Sequence, residues 1–426
     1  MVIAETTNTY TSLTSKQKES IGLLSTGTFL EYFDFFLYVH MAVFLNEYFF
    51  PKTDPHTSAL LTAFAFCSTY VLRPLGALIF GYLGDNIGRK STVVITTSIM
   101  ALSCIVMANL PTYAQVGISA AYIVTIVRIA QGMASMGEVI GAEIYIMEVT
   151  RPPIQYSAVA LIAVVGVLGG TVALGVATLI TYTGFNWRLA FWFGAIVAVV
   201  GGIARNRLSE TPEFLAAKQK QALQKNKTVE KVDKKSALAL FLIHASWPVC
   251  FYFAYMYCGD ILKNNMQQTA AQIIHQNFIV SMLQLLSWFA LVFMSYKFNP
   301  LKIVRIRLAI FAIFIIVSPI LFKYASSPMD ILFIQSMIVV CGFMGIPVMP
   351  VLYKHFPVFK RFTFATFTYA LSRALVYIFT SFGLVYLSDA FGHWVSLLVM
   401  TPVAIVYWYS IRHFARLEQE TAINIT

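Results

Sequence analysis

Gly81-Tyr82-Leu83-Gly84-Asp85-Asn86-Ile87-Gly88-Arg89-Lys90 decides how the rest of the chain is read. It is a glycine-rich polar turn holding one acid and two adjacent cations. Upstream, residues 60–80 are apolar apart from Arg73-Pro74, and downstream, residues 91–110 carry no charge. An apolar stretch of about 20 residues crosses a hydrocarbon core as a helix. Two such stretches joined by a short polar turn read as a hairpin of membrane helices.

The composition extends this reading to the whole chain. Of 426 residues, 58% are hydrophobic and 12% charged, where a soluble domain carries about 25% charge. So little charge cannot cover a globular surface, and repeated apolar stretches point to a polytopic helical membrane protein. The 35 Phe and 22 Tyr suit lipid-facing helices with interfacial rings. Cys67, Cys104, Cys250, Cys258 and Cys341 show no metal-ligand spacing and read as small buried side chains. Residues 1–20 are polar, lack a signal-peptide pattern and read as an N-terminal tail.

Working outward, membrane helices are expected at 21–44, 58–82, 91–109, 116–147, 156–181 and 187–203. A lysine- and glutamate-rich linker follows at 205–236, with a short helix near Pro212. Six more helices are expected at 237–258, 270–294, 303–323, 330–352, 364–387 and 394–411, with Pro347 and Pro350 kinking the tenth. The domains are then a six-helix bundle at 21–204, the linker, a second bundle at 237–412, and a C-terminal tail at 413–426. With both termini inside, 23 of the 30 Lys and Arg fall on the inner side, 4 on the outer, and Arg73, Arg128 and Arg373 within helices. This positive-inside bias accounts for the net charge of +11 without a nucleic-acid partner. Two half-bundles joined by a charged inner loop suggest alternating access. No nucleophile–base set, phosphate loop or dinucleotide fingerprint stands out, so an enzyme is not indicated and an ion gradient is the expected energy source.

The motifs resemble the major facilitator superfamily, and within it the metabolite:proton symporters that include proline/betaine and alpha-ketoglutarate/citrate permeases. Residues 81–90 resemble the signature between helices two and three, preceded by Arg73-Pro74-Leu75-Gly76. Glu31-Tyr32-Phe33-Asp34-Phe35-Phe36-Leu37-Tyr38 resembles the first-helix motif, and Arg128-Ile129-Ala130-Gln131-Gly132 through Gly137-Glu138 the fourth-helix motif. Glu210-Thr211-Pro212-Glu213-Phe214 resembles the linker motif. In the second half, Phe356-Pro357 with Arg361 and Tyr369 resembles the entry to helix eleven. The loop between helices eight and nine, Lys297-Phe298-Asn299-Pro300-Leu301-Lys302, departs from the family pattern, having neither Asp nor Gly. The resemblance implies an all-α fold of twelve transmembrane helices in two six-helix bundles. It also implies that the turn built on Gly81, Gly84, Asp85, Gly88, Arg89 and Lys90 helps hold an inner gate closed.

Charged groups inside apolar helices supply the candidate site, because each must face protein or water rather than lipid. Glu31 and Asp34 lie one turn apart, each a proton carrier or substrate contact, and the resemblance favours Asp34 for coupling. Arg128 needs an acid, water or an anionic ligand, and by family analogy couples protonation to substrate occupancy. Glu138 is too far along the helix to pair with Arg128, so Glu138, Glu143 and Glu148 are read as inner-side packing and gating residues. Arg73 is a packing cation or a ligand contact. Arg373, flanked at i±4 by Tyr369 and Tyr377, is placed to receive an anionic group. Tyr38, His244, Trp247, Tyr252, Tyr255 and Gln284 are further lining candidates. No metal site and no cofactor beyond a proton gradient are expected.

The sequence thus reads as a proton-coupled importer of a small polar metabolite, carboxylate-bearing: an organic acid, amino acid or betaine. It is expected in the inner membrane, acting as a monomer with the lipid bilayer as its surroundings. An exporter of an amphipathic solute or chelate, and a non-transporting receptor, are the alternatives.

Overall fold

A computed structural model describes residues 12–50, 70–184, 186–223 and 231–423. The described residues are overwhelmingly helical, with no strand among them. Before the linker come α1 (Ser15–Phe49), α2 (Arg73–Asn86), α3 (Arg89–Asn109), α4 (Ser119–Val149), α5 (Ile154–Thr183) and α6 (Arg188–Arg205). The linker carries α7 (Pro212–Leu223). After it come α8 (Lys234–Phe251), α9 (Ala270–Lys297), α10 (Pro300–Tyr324), α11 (Pro328–Cys341), α12 (Val358–Ile378) and α13 (Val395–Ile423). Eight helical spans among the described residues are long and apolar enough to cross a membrane. Outward-facing Ile306, Ile310, Ile313, Ile316 and Ile320 on α10 show the lipid-facing surface such spans require.

The helices extend beyond the sequence expectation at both ends. α1 begins at Ser15, inside the segment read as tail, because Thr14 and Gln17 cap each other: the Gln17 N–H donates to the Thr14 hydroxyl (3.2 Å) and the Thr14 N–H to the Gln17 side chain (2.9 Å). α13 runs on to Ile423, through most of the segment read as C-terminal tail. Buried Ile411, Phe414 and Ala415 continue its apolar face, and Glu418 binds Lys354 (2.6 Å) and His355 (2.7 Å). Residues 58–69 of the expected second helix lie outside the described residues.

Two second-half helices are irregular. The expected tenth helix is broken, not kinked: α11 stops at Cys341 and a short helix resumes at Met349–Tyr353. Breaking a helix in a bilayer frees carbonyls that need donors. Arg307 supplies them to Val340 (2.5 Å) and Gly342 (3.4 Å), and the Tyr407 hydroxyl to Met344 (2.5 Å). α8 contains Pro248 and passes into a π-helical segment, Tyr252–Tyr257, before continuing as Cys258–Asn264. Proline removes a backbone donor, and the wider π turn accommodates the shift in register.

α1 packs on α4, α5 and α6, α3 on α4 and α6, and α2 on α4; beyond the linker α8 packs on α12 and α13, and α10 on α11 and α13. The two sets meet along α5–α9 and α2–α12. Small residues make the closest approach possible. Gly169 of α5 lies against the Phe29 backbone of α1, and a side-chain carbon at Gly166 would stand 3.0 Å from the Tyr32 ring.

Candidate functional site

A cavity with about 50 Å³ accessible to water lies between the two sets of helices, room for a few waters. Glu31, Tyr32, Phe35 and Phe36 of α1 form one wall, with Tyr70 and Arg73 beside them. Trp247 and Phe251 of α8, Ser281, Gln284 and Trp288 of α9, and Tyr369, Arg373 and Tyr377 of α12 form the opposite wall. Of the residues expected from sequence, Glu31, Arg73, Trp247, Gln284, Tyr369, Arg373 and Tyr377 therefore converge.

Charge in the cavity is unbalanced. Glu31 is the acid that lines it, and Arg73 Nη2 holds its Oε1 at 3.3 Å. The Arg73 guanidinium lies 4.6 Å from the Tyr70 ring centroid. Arg373 has no carboxylate at ion-pair distance among the described residues. Its guanidinium carbon lies 3.3 Å from the Tyr369 ring centroid, and its Nη1 reaches the Tyr369 carbonyl at 3.5 Å. Stacking on a phenol orients the planar cation and, apart from that one long contact, leaves its donors unspent. Two buried donors of cavity-lining residues, Trp288 Nε1 and Arg73 Nε, lack a hydrogen-bond partner among the described residues.

Asp34 and Arg128 sit apart from this cavity, on the seam between α1 and α4. Arg128 Nη1 donates to Asp34 Oδ2 at 2.6 Å and to Gln131 Oε1 at 2.8 Å, and its guanidinium carbon stands 4.0 Å from the Tyr38 ring centroid. Both charged residues are buried, and Asp34 Oδ1 and Arg128 Nε have no hydrogen-bond partner among the described residues. Glu31 and Asp34, though one turn apart, thus serve different cations. Tyr38, His244, Tyr252 and Tyr255 do not line the cavity. Tyr255 supports it indirectly, donating to Gln284 Oε1 at 3.0 Å.

The turn at 81–90 closes one side of the interface. Asp85 Oδ1 and Oδ2 accept the backbone N–H groups of Phe362 (3.1 Å) and Thr363 (2.8 Å) on α12. Gly81 and Gly84 let the helices approach this closely: a side-chain carbon at Gly84 would stand 2.7 Å from the Phe362 ring. Gly88, at φ 132°, turns the chain from α2 into α3 in a conformation that favours glycine. The linker locks onto the same turn. Glu210 accepts from the backbone N–H groups of Arg89 (3.0 Å) and Lys90 (3.2 Å), a carboxylate at the positive end of α3.

Glu148 is the centre of the charge network. It takes Arg89 Nη2 at 3.0 Å, Arg361 Nη1 at 2.9 Å and the Thr211 hydroxyl at 2.6 Å. Arg361 also binds Glu213 at 3.0 Å, and Arg89 Nη2 reaches the Val358 carbonyl at 2.7 Å. The first-half turn, the linker and the entry to α12 are thus tied in one cluster. Glu138 stands outside it: it pairs with Arg205 and accepts from Thr96 (2.9 Å) and Thr97 (2.6 Å), bracing α3, α4 and α6 against one another. Glu143 accepts from the Tyr353 hydroxyl at 3.0 Å. The α5–α9 seam is held by neutral groups, with Ser157 Oγ donating to the Val292 carbonyl (2.9 Å) and Thr171 Oγ1 meeting Ser281 Oγ (2.5 Å). In the loop after α9, Asn299 caps α10 through the Leu301 N–H (2.9 Å).

Sequence reasoning missed Trp288, Ser281, Tyr32, Tyr70 and Phe251 in the cavity. Trp288, Ser281, Tyr70 and Phe251 are apolar or weakly polar residues within apolar runs, with no local signal to separate them from lipid-facing neighbours, whereas Tyr32 stands beside Glu31 in the first-helix motif, and that was the available clue. Arg205 falls in the linker by composition, yet it ends α6 and is buried; its place at the end of an apolar run is the available clue.

A family model described as Major Facilitator Superfamily matches residues 24–361. The inner membrane metabolite transport protein YhjE of Escherichia coli (strain K12) is 30% identical over 260 residues, 58% of either chain. The proline/betaine transporter of Salmonella typhimurium is 32% identical over 206 residues, 47% of this chain and 41% of that one. The citrate-proton symporter of Klebsiella pneumoniae is 27% identical over 255 residues, 58% of this chain and 57% of that one. The matches thus span between two-fifths and three-fifths of these relatives' lengths. Among solved structures, the proton:xylose symporter XylE superposes with a TM-score of 0.78 at 16% identity, covering 93% of this chain and 96% of that one. That likeness concerns the fold.

Proposed function

From the premise that the chain belongs to the Major Facilitator Superfamily, a family of transporters and not enzymes, we propose that it is a proton-coupled importer of a small carboxylate-bearing metabolite. The observation that carries this reading is Arg373. It is a cavity-lining guanidinium with no acid partner among the described residues, stacked on Tyr369 with its donors available. Glu31 and Arg73 neutralise each other, so the cavity keeps one net positive charge, and a ligand carboxylate completes the balance. The flanking Trp247, Phe251, Trp288 and Tyr377 offer apolar and aromatic surface for the rest of a small organic acid, amino acid or betaine. The carboxylates and betaines named for the relatives fall in this class.

Asp34, paired with Arg128 behind the cavity, is assigned the coupling proton. The six-helix bundles at 21–204 and 237–412 rock about the cavity, with the cluster of Asp85, Arg89, Glu148 and Arg361 as the inner gate. The protein works as a monomer in the inner membrane, its termini on the cytoplasmic side. Uptake into proteoliposomes, with and without an imposed pH gradient, tests the reading across citrate, alpha-ketoglutarate, proline and glycine betaine. Accumulation of one of these, dependent on the gradient and on Arg373, is expected. Accumulation of uncharged or cationic solutes alone would overturn it.

A further inference from the structure

Every buried carboxylate among the described residues has a cation at ion-pair distance, with one exception. Glu31 has Arg73, Asp34 has Arg128, Asp85 has Arg89, Glu138 has Arg205, and Glu148 has Arg89 and Arg361. Glu143, 6% exposed on α4, has none. Its partner is the Tyr353 hydroxyl, donating to Oε2 at 3.0 Å. Tyr353 lies on the short helix Met349–Tyr353 beyond the linker, so this hydrogen bond crosses between the two sets of helices.

The groups around Glu143 connect it to the cavity. The Tyr353 hydroxyl stands 3.5 Å from Nε2 of His244 on α8, and His244 Nδ1 meets the Thr368 hydroxyl at 3.2 Å. The His244 ring lies edge-on to Tyr369, centroids 5.4 Å apart, and Tyr369 carries the stacked Arg373. Arg373 is thus the cation at the end of this chain of contacts, without a carboxylate at ion-pair distance among the described residues. The other charges nearby are committed: Arg361 to Glu148 and Glu213, Arg89 to Asp85 and Glu148, Arg73 to Glu31, and Arg128 to Asp34. α5, packed along α4, carries no charged residue between 154 and 183.

An ionised carboxylate buried without a cation is costly, whereas a neutral acid with its hydrogen bond made is not. The closed interface therefore selects the protonated form of Glu143, and separating α4 from Tyr353 would hydrate the group and favour release. We propose that Glu143 is a proton-binding site whose occupancy holds the inner gate shut and whose proton leaves when that gate opens. One consequence rests on the reading of Arg373 given above. An anion seated on Arg373 offsets the positive field at Glu143, so anion and proton bind with positive cooperativity, each strengthening the other.

The test needs no transported substrate. The full chain in lipid nanodiscs is followed from about pH 5 to about pH 8, a range spanning ordinary proton exchange in proteins. Difference infrared spectroscopy reads the carboxylic-acid C=O band. Hydrogen–deuterium exchange, corrected for the chemical rate, reads gate opening at residues 84–90 and 353–363. In the wild type, loss of a carboxylic-acid band and faster exchange at both segments are expected to coincide as pH rises. Glu143→Gln is expected to lose both transitions and to stay protected throughout. Arg373→Gln removes the positive field, and both transitions are expected to move to higher pH. Should Glu143→Gln fold poorly, Tyr353→Phe serves instead: it removes the donor and is expected to raise exchange at low pH while leaving the high-pH plateau unchanged. A wild-type transition that persists in Glu143→Gln, or no wild-type transition, overturns the proposal. If the transition is present but no carboxylate is transported, it is the substrate reading that falls.

Discussion

Replacing Asp85 by Asn perturbs the proposed gate with the smallest change in shape. Asp85 accepts two backbone N–H groups with its two oxygens, Phe362 at 3.1 Å and Thr363 at 2.8 Å. An amide has one carbonyl oxygen, so Asn keeps one bond and turns an NH₂ toward the other donor. A hydrogen bond to a charged group is worth about 1.5–3 kcal/mol. The longer contact of Asp85 with Arg89, 3.6 Å, adds little, because Arg89 keeps Glu148 at 3.0 Å. The closed state should therefore lose about 2–3 kcal/mol, roughly 30- to 150-fold in the closed-to-open ratio. Hydrogen–deuterium exchange of the full chain reads this at the two amides concerned. Peptides containing Phe362 and Thr363 should exchange faster in Asp85→Asn by that factor, and residues 84–90 should follow if the whole gate opens. Unchanged protection at 362 and 363 would refute the assignment of Asp85 as a latch between α2 and α12.

Arg373→Lys keeps the charge but loses the planar cation stacked on Tyr369, and should weaken binding of the carboxylate ligand on the order of tenfold or more; thermal stabilisation by that ligand measures it, and equal affinity would reject Arg373 as its receptor. Asp34→Asn should abolish accumulation driven by a pH gradient while leaving counterflow exchange measurable in proteoliposomes; a normal gradient response would move the coupling proton elsewhere. Arg205→Gln leaves Glu138 buried without its cation, a loss of about 3–5 kcal/mol for a broken buried pair, and should lower the thermal unfolding midpoint more than Arg373→Lys does.

The fold was legible because a bilayer leaves few options: long apolar runs, a polar turn at 81–90 and a charged linker suffice to place helices. Of the cluster around Glu148, the sequence marked Asp85, Arg89 and Glu148 as gating candidates, while Glu210 and Arg361 stood only as parts of motifs. What the sequence did not separate were the partners of the acidic run on α4. Glu138, Glu143 and Glu148 read as one inner-side set, yet a spacing of five residues turns each by roughly 140° from the last on a helix of about 3.6 residues per turn. They consequently face Arg205, Tyr353 and the Arg89–Arg361 cluster respectively. The cavity's aromatic wall was hidden for another reason. Trp288 and Phe251 look like their lipid-facing neighbours, and which of them faces inward depends on the crossing of α8 and α9 and on the π segment after Phe251.

That rotation along α4 bears on how transport is organised. The same helix carries Arg128, bonded to Asp34, then the Glu138 brace, then two acids that reach across the interface. Glu143 and Glu148 bond Tyr353 and Arg361, and Arg361 Nε in turn donates to the Tyr353 carbonyl at 3.1 Å, so the two crossing contacts share one anchor. The opposing α5–α9 seam holds hydroxyl contacts and no charge pair among the described residues, and neutral contacts of this kind are re-formed with little cost as helices slide. In the proposed transport cycle, separation of the two sets of helices near residues 81–90 should therefore be governed by α4 and its partners at 353–363, with α5–α9 as the pivot. Ser157→Ala, which removes a hydroxyl from that pivot, should leave exchange at 84–90 and 353–363 close to wild type. A change there as large as that of Asp85→Asn would show that the gate energy is shared across both seams.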